Sequence, residues 1–96
     1  MFEVYKTRQA RIDLKKMWKD GYKKWGEAQA DAYFDLVSVT IDRFSEYPEM
    51  GRAREEIRAG YRAFSVRQHI IFYTLEDNMV LIQRVLPSVM EYEQLV

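Results

Sequence analysis

His69 is the single histidine of the chain, and there is no cysteine. One histidine without a second nitrogen or sulfur ligand cannot make a zinc site, and the lack of cysteine excludes disulfides, thiolate ligands and cysteine nucleophiles. His69 therefore reads as a residue at a strand start with one hydrogen bond. Nothing resembles a nucleophile elbow, although Ser/His/Asp partners would meet only in the fold. Gly51 and Gly60 read as turn glycines, because no G-x-G-x-x-G or P-loop is present. No catalytic, metal-binding or cofactor-binding set is expected. The remaining chemistry is cationic: Arg52, Arg54, Arg58, Arg62 and Arg67, with Arg84 further on. A guanidinium fork suits phosphate or carboxylate, which makes Arg58, Arg62, Arg67 and Arg84 candidates for contact with a target. The competing role of this series is pairing with Glu55, Glu56 and the acids of a preceding helix. Direct sequence-specific contact with nucleic acid is not expected, since the formal net charge is zero and no groove-reading motif occurs.

Charge is unevenly spread along the 96 residues. Residues 1–26 carry a net +5, residues 27–49 a net −5, residues 50–72 a net +3, and the remainder a net −3. Such local fields can steer a partner even when the total vanishes. The length supports one domain, residues 1–96, able to bury roughly 60–70% of its unfolded surface. Hydrophobic residues make up 48% of the chain and include fourteen aromatics, enough for a modest core. No stretch approaches the ~20 apolar residues of a membrane span, and Met1-Phe2-Glu3-Val4 does not read as a signal peptide, so a cytoplasmic protein is expected.

Positioning these residues requires elements, and the hydrophobic period supplies them. Phe2 to Tyr5 alternates weakly, as in a short first strand. From Arg8 to about Lys24 the period is helical: Ala10, Leu14, Met17, Trp18 and Gly21 share one arc, with Arg8, Arg11, Lys15, Lys19 and Lys23 opposite. Ile12 stands inside that basic stripe. Trp25-Gly26 breaks the pattern, and a second helix is expected from Glu27 to Tyr47, stopped by Pro48. Its core arc is Ala30, Tyr33, Phe34, Val37, Ile41 and Phe44, beside an acidic stripe of Asp31, Asp35, Asp42 and Glu46. A further apolar group, Ala32, Leu36 and Val39, faces away from the core arc. Trp18 and Trp25 are expected in the hairpin core.

After a turn at Pro48–Gly51 and a charged loop to Gly60, the period changes. Residues 61–66, 69–75 and 80–86 are rich in aromatic and branched side chains, and they are separated by Arg67-Gln68 and Glu76-Asp77-Asn78. The expected fold class is α+β: an N-terminal strand, then an antiparallel helical hairpin packed on a mainly antiparallel β-sheet.

Several segments, in order, carry a family resemblance over almost the whole chain. They are Asp13-Leu14, then Trp25-Gly26 with Gln29-Ala30 and Tyr33, then Tyr47-Pro48-Glu49-Met50-Gly51-Arg52. Glu56-Ile57-Arg58-Ala59-Gly60-Tyr61-Arg62-Ala63-Phe64 follows, with strands His69-Ile70-Ile71-Phe72-Tyr73 and Ile82-Gln83-Arg84-Val85-Leu86. Together these segments resemble the ParE branch of the RelE/ParE toxins and imply that toxin fold. Many relatives place a His and then a basic residue before Met-Asp in the tail, where this chain reads Pro87-Ser88-Val89-Met90-Glu91. The resemblance implies the toxin of a type II toxin–antitoxin module, which inhibits DNA gyrase by protein binding and forms a hetero-oligomer with a cognate ParD-like antitoxin.

The alternatives are a ribosome-dependent messenger-RNA interferase of the RelE type, or a non-toxic relic that still binds antitoxin. Cleaving RNA needs a proton acceptor, a proton donor and stabilisation of the phosphorane. After Arg84 the tail has no Lys, Arg or His; only Tyr92 could move a proton, and Glu91 and Glu93 beside it would repel phosphate. Arg62 and Arg84 would position phosphate without an acid–base pair, so binding is favoured over catalysis. Ile12, Lys15, Lys19, Lys23, Ala32, Leu36 and Val39 form the expected antitoxin surface, apolar residues rimmed by charge.

Overall fold

The computed structural model describes residues 1–89; Glu91, Tyr92 and Glu93, weighed above for proton transfer, lie outside them. The elements run β1 (Glu3–Lys6), α1 (Arg8–Trp25), α2 (Glu27–Arg43), β2 (Arg52–Ala53), β3 (Arg62–Val66), β4 (His69–Glu76) and β5 (Met79–Pro87). The sheet order is β1-β5-β4-β3-β2. Among the described residues only β1 runs parallel to its neighbour, with Glu3 opposite Met79 and Lys6 opposite Ile82, and the other pairings are antiparallel.

The two helices share one residue as their joint. Gly26 N–H donates to Tyr22 O at 2.9 Å to close α1, while Gly26 O accepts from Ala30 N at 3.0 Å to open α2. Its backbone sits at φ 90°, ψ 175°, a region open essentially to glycine alone. The N-terminus of α1 is capped by Thr7, whose hydroxyl accepts from Ala10 N at 3.1 Å.

Ala10, Leu14 and Met17 of α1 and Val37, Ile41 and Phe44 from α2 and its cap pack on Ile71, Tyr73, Val80, Ile82 and Val85 of the sheet. Phe44 stacks on Tyr73 with centroids 4.3 Å apart and meets the edge of Phe64. A buried side chain of this size contributes about 1.5–3 kcal/mol by leaving water. On the reverse sheet face, Tyr61, Ile70, Phe72 and Leu86 form a smaller cluster against which Ile57 packs.

Helix α2 stops at Arg43 instead of reaching Tyr47. Phe44, Ser45 and Glu46 donate to carbonyls three residues back, so the chain tightens into successive turns before Pro48. The loop expected after Gly51 contains the two-residue strand β2, held by backbone pairing to Arg62 and Ala63.

Candidate interaction surfaces

The motif Tyr47–Arg52 is held by two side chains from the sheet. Tyr73 donates its hydroxyl hydrogen to Pro48 O at 2.7 Å and accepts from Gly51 N at 2.8 Å. Burial raises the Tyr73 pKa, against the lowering pull of the Gly51 bond and Arg62, so the phenol stays a neutral donor. A Cβ at Gly51 would lie 2.7 Å from that phenol, so any side chain there would collide with it. Arg62 closes the loop from the other side, donating through Nε to Gly51 O at 2.9 Å. This guanidinium serves the loop backbone.

Arg84 is likewise engaged. Its Nε and Nη2 reach Asp13 Oδ2 and Oδ1 at 2.7 and 3.0 Å, and Asp13 Oδ2 also accepts from Val85 N at 3.0 Å. Strand β1 covers β5 only as far as Ile82, which leaves the next stretch of that edge open. Thr7, donating to Gln83 O at 3.1 Å, and Asp13 satisfy the edge in place of a strand. The Asp13 hydrogen bonds, ahead of burial, hold the Arg84 pKa above its usual value. Arg58 lies 6.0 Å from the Tyr61 ring centroid, and Arg54 pairs with Glu56. Of the four target candidates only Arg67 is exposed with no ion pair or hydrogen bond from its side chain among the described residues. The four are not gathered into one cluster.

His69 belongs to a small polar hub. Tyr33 Oη lies 2.7 Å from His69 Nδ1, 3.1 Å from Val66 O, and accepts from Gln68 N at 3.2 Å. One tyrosine on α2 thereby pins the β3–β4 turn to the helical layer. Burial, ahead of the opposing pull of Asp20, lowers the His69 pKa, and burial raises that of Tyr33.

The structure divides the expected antitoxin surface. A groove of about 590 Å³ runs along the seam of the hairpin, lined by Arg11, Leu14, Lys15 and Trp18 of α1 and Asp31, Phe34, Asp35 and Ser38 of α2. Ile12, 49% exposed, stands on the outer ridge of α1 with the exposed Lys19 and Lys23. Ala32, Leu36 and Val39 are exposed as expected, but helical phase puts them on the crest and far flank of α2, outside the seam.

Neither tryptophan lies in the core. Trp18 is half-buried, donating to Asp31 Oδ1 at 2.8 Å and stacking on Tyr22 at 5.3 Å. Trp25 is 54% exposed. It differs in phase from Leu14 by only about 20° at 100° per residue. It occupies the last helical position before the Gly26 joint, where a hollow of about 510 Å³ opens between it, Gln29, Tyr33 and the Arg67-Gln68 turn. The signal available in the sequence was the glycine directly after it.

Residues 4–92 match the model of the ParE toxin of type II toxin–antitoxin systems, parDE. The chain belongs to the ParE toxin family. It is 35% identical over 86 residues to Toxin ParE1 of Mycobacterium tuberculosis, covering 88% of each chain. It is 37% identical over 67 residues to Toxin ParE1 of Caulobacter vibrioides, 70% of each, and 33% identical over 86 residues to Toxin ParE3 of that organism, 90% of this chain and 86% of the relative. The solved chromosomal ParDE TA system from P. aeruginosa aligns with a TM-score of 0.81 at 16% identity, covering 91% of this chain and 96% of that one, which establishes the shared ParE fold. Two residues of the family resemblance far apart in sequence, Asp13 and Arg84, are now seen as one ion pair. Among the described residues no group of His, Asp or Glu could hold a metal, and no helix is long and apolar enough to cross a membrane.

Proposed function

We propose that this ParE-family toxin acts in the cytoplasm by binding DNA gyrase, without catalysis of its own, and is silenced by a ParD-like antitoxin laid over its helical hairpin. One observation carries the antitoxin half: exposed Ile12 stands among Lys15, Lys19 and Lys23, which make no ion pair among the described residues, beside a seam floored by Leu14, Trp18 and Phe34. An amphipathic acidic segment fits this face, its apolar side chains in the seam and its carboxylates on the lysines. A segment continuing across the crest of α2 would also cover Ala32, Leu36 and Val39.

The gyrase half rests on family membership, and the chemistry of the sheet supports binding over RNA cleavage. Arg62 is tied to the Gly51 carbonyl and Arg84 to Asp13, so these two strand cations, weighed above for holding a scissile phosphate, already have structural partners. The test is purified protein in a gyrase supercoiling assay, alone and with its antitoxin, beside messenger-RNA cleavage on programmed ribosomes. Inhibition relieved by antitoxin is expected. Defined A-site cleavage lost in Arg84→Ala would replace this reading with the interferase, and antitoxin binding with neither activity would mark a relic.

A further inference from the structure

Resting on the gyrase reading above, we infer that the hollow between Trp25, Tyr33 and Arg67 is the target contact, seating an acidic segment of gyrase. Its carboxylate takes the Arg67 fork, and an apolar neighbour lies on the Trp25 indole. Four observations converge on this hollow.

Trp25 leaves half of a large apolar ring in water, with the Lys24 ammonium 5.7 Å from its centroid. Arg67 occupies the first position of a two-residue turn at φ 50°, a left-handed conformation suited to glycine or asparagine and unfavourable for a long side chain. A residue held at that cost, exposed and without an ion-pair or hydrogen-bond partner for its side chain among the described residues, points to use outside the fold. The hollow is also rigid, because the Tyr33 hydroxyl is bound to both sides of the turn that carries Arg67. Its exposed charges are cationic: Arg67 lines it and the Lys24 ammonium lies near the Trp25 ring, while Asp20, the acid that acts on His69, is paired with Lys16.

The chemistry selects a protein carboxylate. Tryptophan, tyrosine and arginine are the side chains that most often carry binding energy at protein interfaces, and a guanidinium pairs with carboxylate in two parallel bonds. A chain of zero net charge is poorly suited to a nucleic-acid backbone. The hollow shares no lining residue with the hairpin seam assigned to the antitoxin. The two contacts are therefore separable by mutation.

Arg67→Gly and Trp25→Ala test this, each compared with the full-length parent for thermal unfolding, antitoxin affinity and inhibition of gyrase supercoiling. Each variant should need at least about tenfold more protein for half-inhibition, as expected for an interface hot spot. Antitoxin affinity should stay within about twofold, the scale of distant independent sites. Arg67→Gly should melt at or above the parent temperature, because glycine relaxes the φ 50° position. Loss of inhibition with stability kept is a pattern that a structural role for Arg67 cannot produce. Unchanged inhibition by both variants overturns the inference. So does a parallel loss of antitoxin binding, which would assign the hollow to the antitoxin, or Arg67-dependent binding to duplex DNA without gyrase. A parent protein that leaves gyrase untouched sinks the functional reading itself, and the occupant with it.

Discussion

Removing the Asp13 carboxylate should be the most damaging single change outside the apolar core. Asp13 is 8% exposed and accepts three hydrogen bonds, two from Arg84 and one from Val85 N. Asp13→Ala takes two charge-assisted hydrogen bonds from a guanidinium with only 17% side-chain exposure. Breaking a buried pair from one side costs about 3–5 kcal/mol, and water at the exposed part of Arg84 favours the lower end. The orphaned Val85 N–H adds about 1 kcal/mol. The expected loss is about 4 kcal/mol, against a total of about 5–15 kcal/mol for a typical domain. At about 4–8 °C per kcal/mol, the melting temperature should fall by roughly 20 °C. Urea unfolding read by tryptophan fluorescence measures it. Asp13→Asn, which keeps an acceptor for Val85 N, should lose roughly half as much by the same hydrogen-bond scale. The double change Asp13→Leu with Arg84→Met should be milder than Asp13→Ala, since no charge is stranded. A loss below about 1 kcal/mol for Asp13→Ala, or single effects that simply add in the double variant, would refute this account.

Four other outcomes are expected. Gly26→Ala should destabilise by about 1–3 kcal/mol, because no side chain suits that backbone region, and calorimetry would register it. The lowered pKa of His69 means the unfolded chain takes up a proton at higher pH than the folded one, so this contribution to stability is complete above about pH 6.5 and falls away as pH drops through the folded value. Melting temperatures from pH 7.5 to 5.5 should decline less steeply in His69→Gln than in the parent. Leu36→Glu should keep the fold, since Leu36 is exposed, yet weaken antitoxin binding more than about tenfold; unchanged affinity would move that interface off the crest of α2. Added salt should slow antitoxin association more than it speeds dissociation, measurable by stopped flow, because Lys15, Lys19 and Lys23 act by steering.

Periodicity made most of the architecture legible. Leu14 and Met17 with Val37 and Ile41 announced two buried helix faces, and the runs at 69–75 and 80–86 announced inner strands. Strand β2 was not legible because two residues carry no alternation, and its pairing is entirely backbone. Trp25 misled because helical phase records direction but not where the helix stops over the sheet. The arginines could be nominated from sequence, but only distances separate them. Arg62 and Arg84 find partners 11 and 71 residues away, whereas Arg67 sits on a turn whose strain depends on a dihedral angle no composition reveals. The split of the apolar group from the seam likewise required knowing which flank of α2 faces α1.

The parallel pairing of β1 with β5 has a consequence for the chain as it is made. Thr7 meets Gln83 across 76 residues, and the first strand has no sheet to join until the last one exists. The hairpin, built from local contacts around Gly26, can form on a nascent chain, whereas the non-local pairing must wait for its distant partner. On the ribosome the amino terminus therefore remains undocked until residues 79–82 have cleared the exit tunnel, and any product truncated before them lacks the β5 strand that closes this sheet.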